Sequence, residues 1–526
     1  MNTRPLMLLV LLACGGSADG TKSGSDGTDG TDGTDGADGA DGADGADGGS
    51  DSGEELPTPV TLAPGEVGDL AVFADGSVGV ELTEPGEYIV ILVSQAEGMG
   101  DLYGYGAAAA AAAVHTPSDP LPLPPSADRP PSSALVAEGD TRTFSVWNGS
   151  ASVEIEAVAT QVTDLVVFWE DQTTPNEIGA VDPEVVAGVI DNFTQIVVPR
   201  ERQIFGEESD VDEDARIHML LSYTVNQYGV VAYVTSCDIG ATVGCGGSGN
   251  DGEIIYMGVP DPESSYSTAS AISELVAHEL NHLIYGWHKY IVQERPNERE
   301  NIYLTEGMSA LAQDLTGYNN GNQYVWAAAI DATEYLGPDA SIDSVSVNDF
   351  LRGETYYDAD RDGSLRGGAY LYLRYLFEQA GGMTVGSDGT LTDAGGMAWL
   401  HDWFDQAALG EETVLATTGR EIADINLDWY TALVVTGRVE NSNPAWNFEA
   451  RVADPITGYE FGVDPYERIH GWLKLNGPLV QELDAADGSI RAGGVEYLSV
   501  SLSEGGVLEI PVDPDAAAVA RVLRVE

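Results

Sequence analysis

The spacing of apolar positions changes character three times along the chain, and each change predicts a change of architecture. Between positions 57 and 162, Val78 to Leu82 and Ser152 to Thr160 alternate apolar with polar, and Tyr88 to Val93 is an unbroken apolar run. These are strand signatures, and the pairs Asp75-Gly76 and Pro85-Gly86 supply turns between them. The segment predicts a small antiparallel β-sandwich. It is interrupted by seven alanines at Ala107 to Ala113 and a proline-rich stretch to Pro131, an insert of too little complexity to join a core.

From 163 to 440 the pattern is α+β. Asp164 to Trp169 reads as a buried strand, Pro183 to Phe205 has helical spacing, and Ile217 to Ser222, Gly229 to Thr235 and Glu253 to Val259 are further strands. After Asp261 helices dominate, over Ser267 to Tyr290, Tyr303 to Leu315, Gly368 to Gln379 and Ile422 to Leu433. Residues 441 to 526 return to β, with Glu496 to Leu502 and Gly506 to Val512 as strands. The expected fold class is therefore multi-domain: an N-terminal β-sandwich, a central α+β domain and a C-terminal β region. A length of 526 residues fits two or three such units.

The first 56 residues belong to none of these. Arg4, the apolar run Pro5 to Leu12 and the small residue Ala13 form a secretory leader over 1–13. A cysteine directly after that small residue resembles the lipobox of bacterial lipoproteins, which implies acylation of Cys14. The expected location is the cell surface, as an outer-membrane lipoprotein, or the medium if the leader is simply cleaved. Residues 14 to 56 are Asp/Gly-rich, and from Gly24 to Gly49 Asp-Gly-Thr and then Asp-Gly-Ala recur every three residues. Glycine and self-repelling charge predict an extended, flexible tether. No later stretch approaches the roughly 18 apolar residues that cross a bilayer. Membrane contact is expected through the lipid anchor only.

Charge narrows the partners. Against 86 Asp and Glu stand 22 Lys and Arg, for a formal net charge of −64. Ten Asp, two Glu and one Lys lie in the tether, so most of the acidity belongs to the folded body. Such a surface repels phosphate backbones, which excludes nucleic acid as a natural partner. It suits a solubilised exterior or Ca²⁺. Of three cysteines, Cys14 is accounted for by the lipid, and Cys237 and Cys245 remain as a pair for a local disulfide in an oxidising compartment.

The chemistry concentrates in one helix. His278-Glu279-Leu280-Asn281-His282 places two imidazoles four residues apart, about 40° around the axis and one turn along it. Both can reach one metal ion, and Glu279 sits close enough to hold a water on that ion without being a ligand. A catalytic zinc takes a third protein ligand. His288 stands six residues past His282, but the glycine that would turn the chain back comes at Gly286, one position late. Glu306, in Thr305-Glu306-Gly307-Met308-Ser309-Ala310, lies on a second helix across a charged loop and is the favoured ligand.

These residues resemble the gluzincins, and most closely the hyicolysin family of secreted bacterial metallopeptidases. The resemblance also rests on Ile204-Phe205-Gly206 before the acidic run, and on the helix from Gly367 to Leu376. It spans about Asp164 to Tyr430. It implies a zincin-like metallopeptidase domain over 163–440, with His278, His282 and Glu306 as zinc ligands and Glu279 as general base. The substrate implied is a peptide bond of an external protein. The loop from His282 to Glu306 is longer than in thermolysin-like members, and Thr305 stands where many have Asn. For oxyanion stabilisation Tyr370 is the first candidate, with Tyr357 and His401 behind it, against core packing of Tyr370.

Two acidic runs remain. Asp358-x-Asp360-x-Asp362-Gly363 copies the first half of a Ca²⁺ loop, with Ala369 where the bidentate Glu should stand. Asp210-x-Asp212-x-Asp214 is similar and lacks the glycine. The alternative to an enzyme is a catalytically silent surface lipoprotein that uses the same fold for binding. A third reading has the zinc site cleaving a different amide, such as a cell-wall cross-link.

Overall fold

The unbroken apolar run from Tyr88 to Val93 is buried residue by residue because both of its faces are covered. Tyr88, Val90 and Leu92 face a core made of β-strands and the turns between them, while Ile89, Ile91 and Val93 belong to the large core of the helical body. One strand thus forms part of the wall between two cores. The computed structural model describes residues 59–526 apart from 99, 107–135, 176–180, 242–244, 246–248, 261–266, 319–334, 337–344, 353–360, 467, 471–472 and 484–487. The expected leader, Cys14, the tether and the Ala/Pro-rich insert lie outside the described residues.

The strands that build the two main layers are, in chain order, β1 (Val67–Asp69), β2 (Val78–Leu82), β3 (Gly86–Val93), β4 (Thr141–Trp147), β5 (Ser152–Val162) and β6 (Val166–Asp171). There follow β7 (Ile217–Leu221), β8 (Ala232–Tyr233), β9 (Ile254–Met257), β10 (Gln481–Glu482), β11 (Val495–Leu502), β12 (Gly506–Ile510) and β13 (Val519–Arg524). The wall is a five-stranded sheet in the order β10-β11-β3-β13-β1, and β2 pairs with β12 in the sheet behind it.

This corrects the expected domain boundaries in two places. The N-terminal sandwich and the C-terminal β region are not separate units, because each supplies strands to the same sheets. Residues 141–162 leave the sandwich altogether. β5 pairs antiparallel with β6 across a tight turn, so β4 and β5 extend the sheet of the helical body, in the order β8-β9-β7-β6-β5-β4. The physical reason is that a two-residue period reports which face of a strand is buried, not which partner it pairs with.

The helices are α1 (Pro183–Asn192), α2 (Val198–Phe205), α3 (Ala269–Gly286), α4 (Ile302–Thr316), α5 (Asp362–Gln379), α6 (Gly396–Asp405) and α7 (Ile422–Val435). The helix expected over Pro183 to Phe205 is divided by a π turn, Phe193–Val197. Pro199 accounts for it: a proline inside a helix lacks the N–H for the normal bond and its ring crowds the carbonyl one turn back. The molecule is a mixed α/β, multi-domain protein with several sheets.

The helical body packs onto the wall through polar bolts as well as apolar contact. Tyr497 on β11 donates to the carbonyl of Tyr430 at 2.8 Å, and Tyr430 on α7 donates to the carbonyl of Gly493 at 2.8 Å. In the loop that follows β8, Cys237 and Cys245 are joined in a disulfide, with Cα atoms 5.5 Å apart. The described residues contain no helix long and apolar enough to cross a membrane.

Candidate metal centre

Helix α3 begins where the Thr268 hydroxyl accepts the N–H of Ala271, and from Ala271 to Gly286 every residue is buried. A helix covered all round belongs to a core. Its histidines are therefore held inside the protein. Helix α4 starts on the Asn301 side chain, which accepts the N–H of Tyr303, and ends at Gly317 in the left-handed conformation (φ 87°). It packs against α3 on one side and α5 on the other. Gly307 is the point of closest approach, since a Cβ there would sit 2.8 Å from backbone atoms of Ala369 and Tyr370. The Glu306-Gly307 pair thus joins a functional carboxylate to a position that admits no side chain.

His278, His282 and Glu306 meet between the two helices. His278 Nε2 lies 3.1 Å from His282 Nε2 and 3.2 Å from Glu306 Oε2, and His282 Nε2 lies 3.5 Å from Glu306 Oε1. All three side chains are buried, with residue exposures of 2%, 4% and 1%. Two neutral imidazoles and a carboxylate are a borderline-soft donor set, suited to a divalent transition metal.

The neighbours fix the tautomers. The Gln313 amide donates to Glu274 at 3.3 Å, which turns its Oε1 towards His278 Nδ1 at 3.2 Å. The Ser309 hydroxyl donates to Asn281 Oδ1 at 3.3 Å and so accepts from His282 Nδ1 at 3.1 Å. Each Nδ1 carries its proton outward, and each Nε2 turns a lone pair to the centre. Three acceptors then converge in a dry site, an arrangement that costs several kcal/mol, roughly, unless a cation lies between them. Outer hydrogen bonds of this kind orient metal-ligating histidines.

Electrostatics support the same assignment. Burial alone would push the Glu306 carboxyl up, but the Arg366 guanidinium, His282 and His278 together hold it well below the usual carboxylate range. Arg366, near the start of α5, donates directly to Glu306 Oε2. Burial pushes the His282 imidazole down, despite the opposing pull of Glu306, so it stays in the neutral form a metal needs. Glu279 is different. It is fully buried, both of its oxygens lack a hydrogen-bond partner among the described residues, and burial followed by the Glu306 charge pushes its carboxyl well above the usual range. An orphaned carboxyl beside a convergent set of metal donors is placed to exchange a proton with something bound there.

The other sequence candidates are elsewhere. The chain does not turn back at Gly286 but runs on through a π turn, Trp287–Val292. His288 accordingly points away, with Nε2 3.0 Å from the Glu207 carbonyl and Nδ1 3.4 Å from Asp405. Tyr370 donates to Asp314 at 3.0 Å, in a buried knot with Arg374 and Tyr459, so its hydroxyl is engaged in packing. His401 Nε2 lies 3.1 Å from the Gln203 carbonyl. Tyr357, Asp358 and Asp360 fall outside the described residues, and Asp362 is described only as the first residue of α5.

Three contributors were not foreseen: Ser309, Gln313 and Arg366. The first two carry a readable signal. Glu306, Ser309 and Gln313 are spaced i, i+3, i+7, a polar stripe on a largely apolar helix. Compared with known proteins, the chain matches no family model, and no curated protein matches it.

Proposed function

We propose that the chain is a zinc-dependent peptidase that hydrolyses peptide bonds of external proteins, exported and held at the cell surface by a lipid on Cys14. One observation carries the reading. A tetrahedral zinc with ligands at about 2.0–2.1 Å places those ligands about 3.3–3.4 Å from one another. The three separations at the site are 3.1, 3.2 and 3.5 Å.

A bound zinc supplies Lewis acidity, polarising a carbonyl and lowering the pKa of a coordinated water towards neutrality. The protein's own groups do the rest. His278, His282 and Glu306 hold the ion, with Gln313 and Ser309 orienting the imidazoles and Arg366 the carboxylate. Glu279 takes the proton of the attacking water and returns it to the leaving nitrogen. Its raised affinity for protons suits the first half of that cycle, the uptake of the water's proton. The disulfide supports an oxidising compartment, which agrees with export.

The silent-lipoprotein reading keeps the fold and discards the chemistry. A buried Glu279 with no structural partner argues against it, because a purely binding protein has no use for that orphaned carboxyl. The test uses the soluble form beginning after Cys14. Metal analysis is expected to find one zinc per chain. Casein hydrolysis should stop with 1,10-phenanthroline and return when zinc is restored. Hydrolysis indifferent to the chelator, or no hydrolysis of casein, synthetic peptides or peptidoglycan fragments by the zinc-loaded protein, would reject the enzyme.

A further inference from the structure

A second group of acidic side chains lies on the loop between α2 and β7. One oxygen each from Asp210, Asp212 and Glu253 come within 4.8 Å of one another, and Glu253 stands immediately before β9. Acidic loops are common and by themselves mean little. Here two of the three carboxylates are inside the protein: Asp212 is 7% exposed and Glu253 1%. Asp212 Oδ1 and Glu253 Oε2 have no hydrogen-bond partner among the described residues. Buried carboxylate oxygens left bare among like charges are strongly unfavourable. They suit a cation held between them.

The neighbouring histidine decides which kind. His218, fully buried on β7, has Nε2 3.3 Å from both Asp212 Oδ2 and Asp214 Oδ2. Trp169 Nε1 donates to its Nδ1 at 2.9 Å. The imidazole proton therefore sits on Nε2, directed at the two aspartates, and that nitrogen has no lone pair for a metal. His218 orients Asp212 from outside, and the available donors are oxygens alone. The remaining contacts leave them so: Glu253 Oε1 accepts from the Ser209 hydroxyl and from the Val211 N–H at 3.1 Å, and Asp210 Oδ1 accepts from the Ala215 N–H at 2.9 Å. A hard cation with ligands at about 2.3–2.6 Å holds oxygens up to about 4.8 Å apart, and these three lie within that limit.

We infer that Asp210, Asp212 and Glu253 form a Ca²⁺ site, separate from the candidate zinc centre and independent of whether the protein is a peptidase. Its role is to brace. The ion ties the acidic loop to the start of β9. The same loop, through the Glu207 carbonyl, meets His288 just past the end of α3. Calcium thereby clamps the helix that carries His278 and His282.

The test uses zinc-loaded protein titrated with CaCl₂, read by thermal unfolding, and with Tb³⁺, read by luminescence excited through tryptophan. Trp169 lies one hydrogen bond from His218 and so reports this site rather than the tether. Calcium should raise Tm in a saturable way, and Tb³⁺ should give sensitised emission that calcium competes away. Glu253→Gln should abolish both responses. Asp210→Asn, at an exposed position where the fold tolerates change, should weaken both by roughly tenfold or more. Should Glu253→Gln fail to fold, Asp210→Asn decides alone. No Tm response in the parent protein, or responses unaltered in the folded variants, would overturn the site.

Discussion

Replacing Glu279 with Gln is expected to abolish peptide hydrolysis and to leave the metal content unchanged. The amide has nearly the carboxyl's shape but cannot accept the water's proton. Loss of a positioned general base costs roughly 10²–10⁴-fold, and a group that also returns the proton to the leaving amine belongs at the upper end. Zinc should stay because the proposed ligands His278, His282 and Glu306 are untouched. Stability should not fall, since Glu279 makes no hydrogen bond among the described residues and is buried. Removing an ionisable group that burial penalises is neutral or mildly stabilising. Zinc content by mass spectrometry and turnover on a fluorogenic peptide, measured on one preparation, check both halves. A variant as fast as the parent would remove Glu279 from the mechanism and revive the silent reading.

Glu306→Gln has the second large effect, on the metal itself. The amide is a poor ligand for zinc, so affinity should fall by more than the roughly 10–100-fold that outer-shell changes cost. The substitution also takes the carboxylate away from Arg366, which is 3% exposed and donates to Glu306. Breaking a buried ion pair by removing one partner costs about 3–5 kcal/mol, so zinc loss should come with a lowered Tm. His288→Ala is the matched control, and competition against a zinc buffer should find its affinity unchanged. The opposite pattern, zinc lost with His288 and kept with Glu306→Gln, would transfer the third ligand to His288.

The parts of this account that sequence made legible are local in the chain. Two histidines four apart on a helix must share a face, whatever surrounds them. Tyr88 to Val93 announces a strand covered on both sides. What pairs with it cannot be read from it: β11 and β13 come from about 400 residues further on, and no local period encodes that choice. The joining of the two β regions was hidden for this reason. So was the departure of β4 and β5 to the other sheet. Glu306 could be named because its helix follows the first with a polar residue in an apolar run. Its register against His278 depends on how closely α4 and α5 approach at Gly307. Arg366 was missed because an arginine near a helix start ordinarily reads as surface. Its burial follows only once α5 is seen packed against α4.

His278, His282 and Glu306 should grip one divalent ion. The most direct measurement is X-ray data from zinc-loaded crystals, collected on both sides of the zinc absorption edge. One anomalous peak should appear among the two Nε2 atoms and the residue 306 carboxylate, and disappear below the edge. No peak there, or a peak bound by other side chains, would contradict the account.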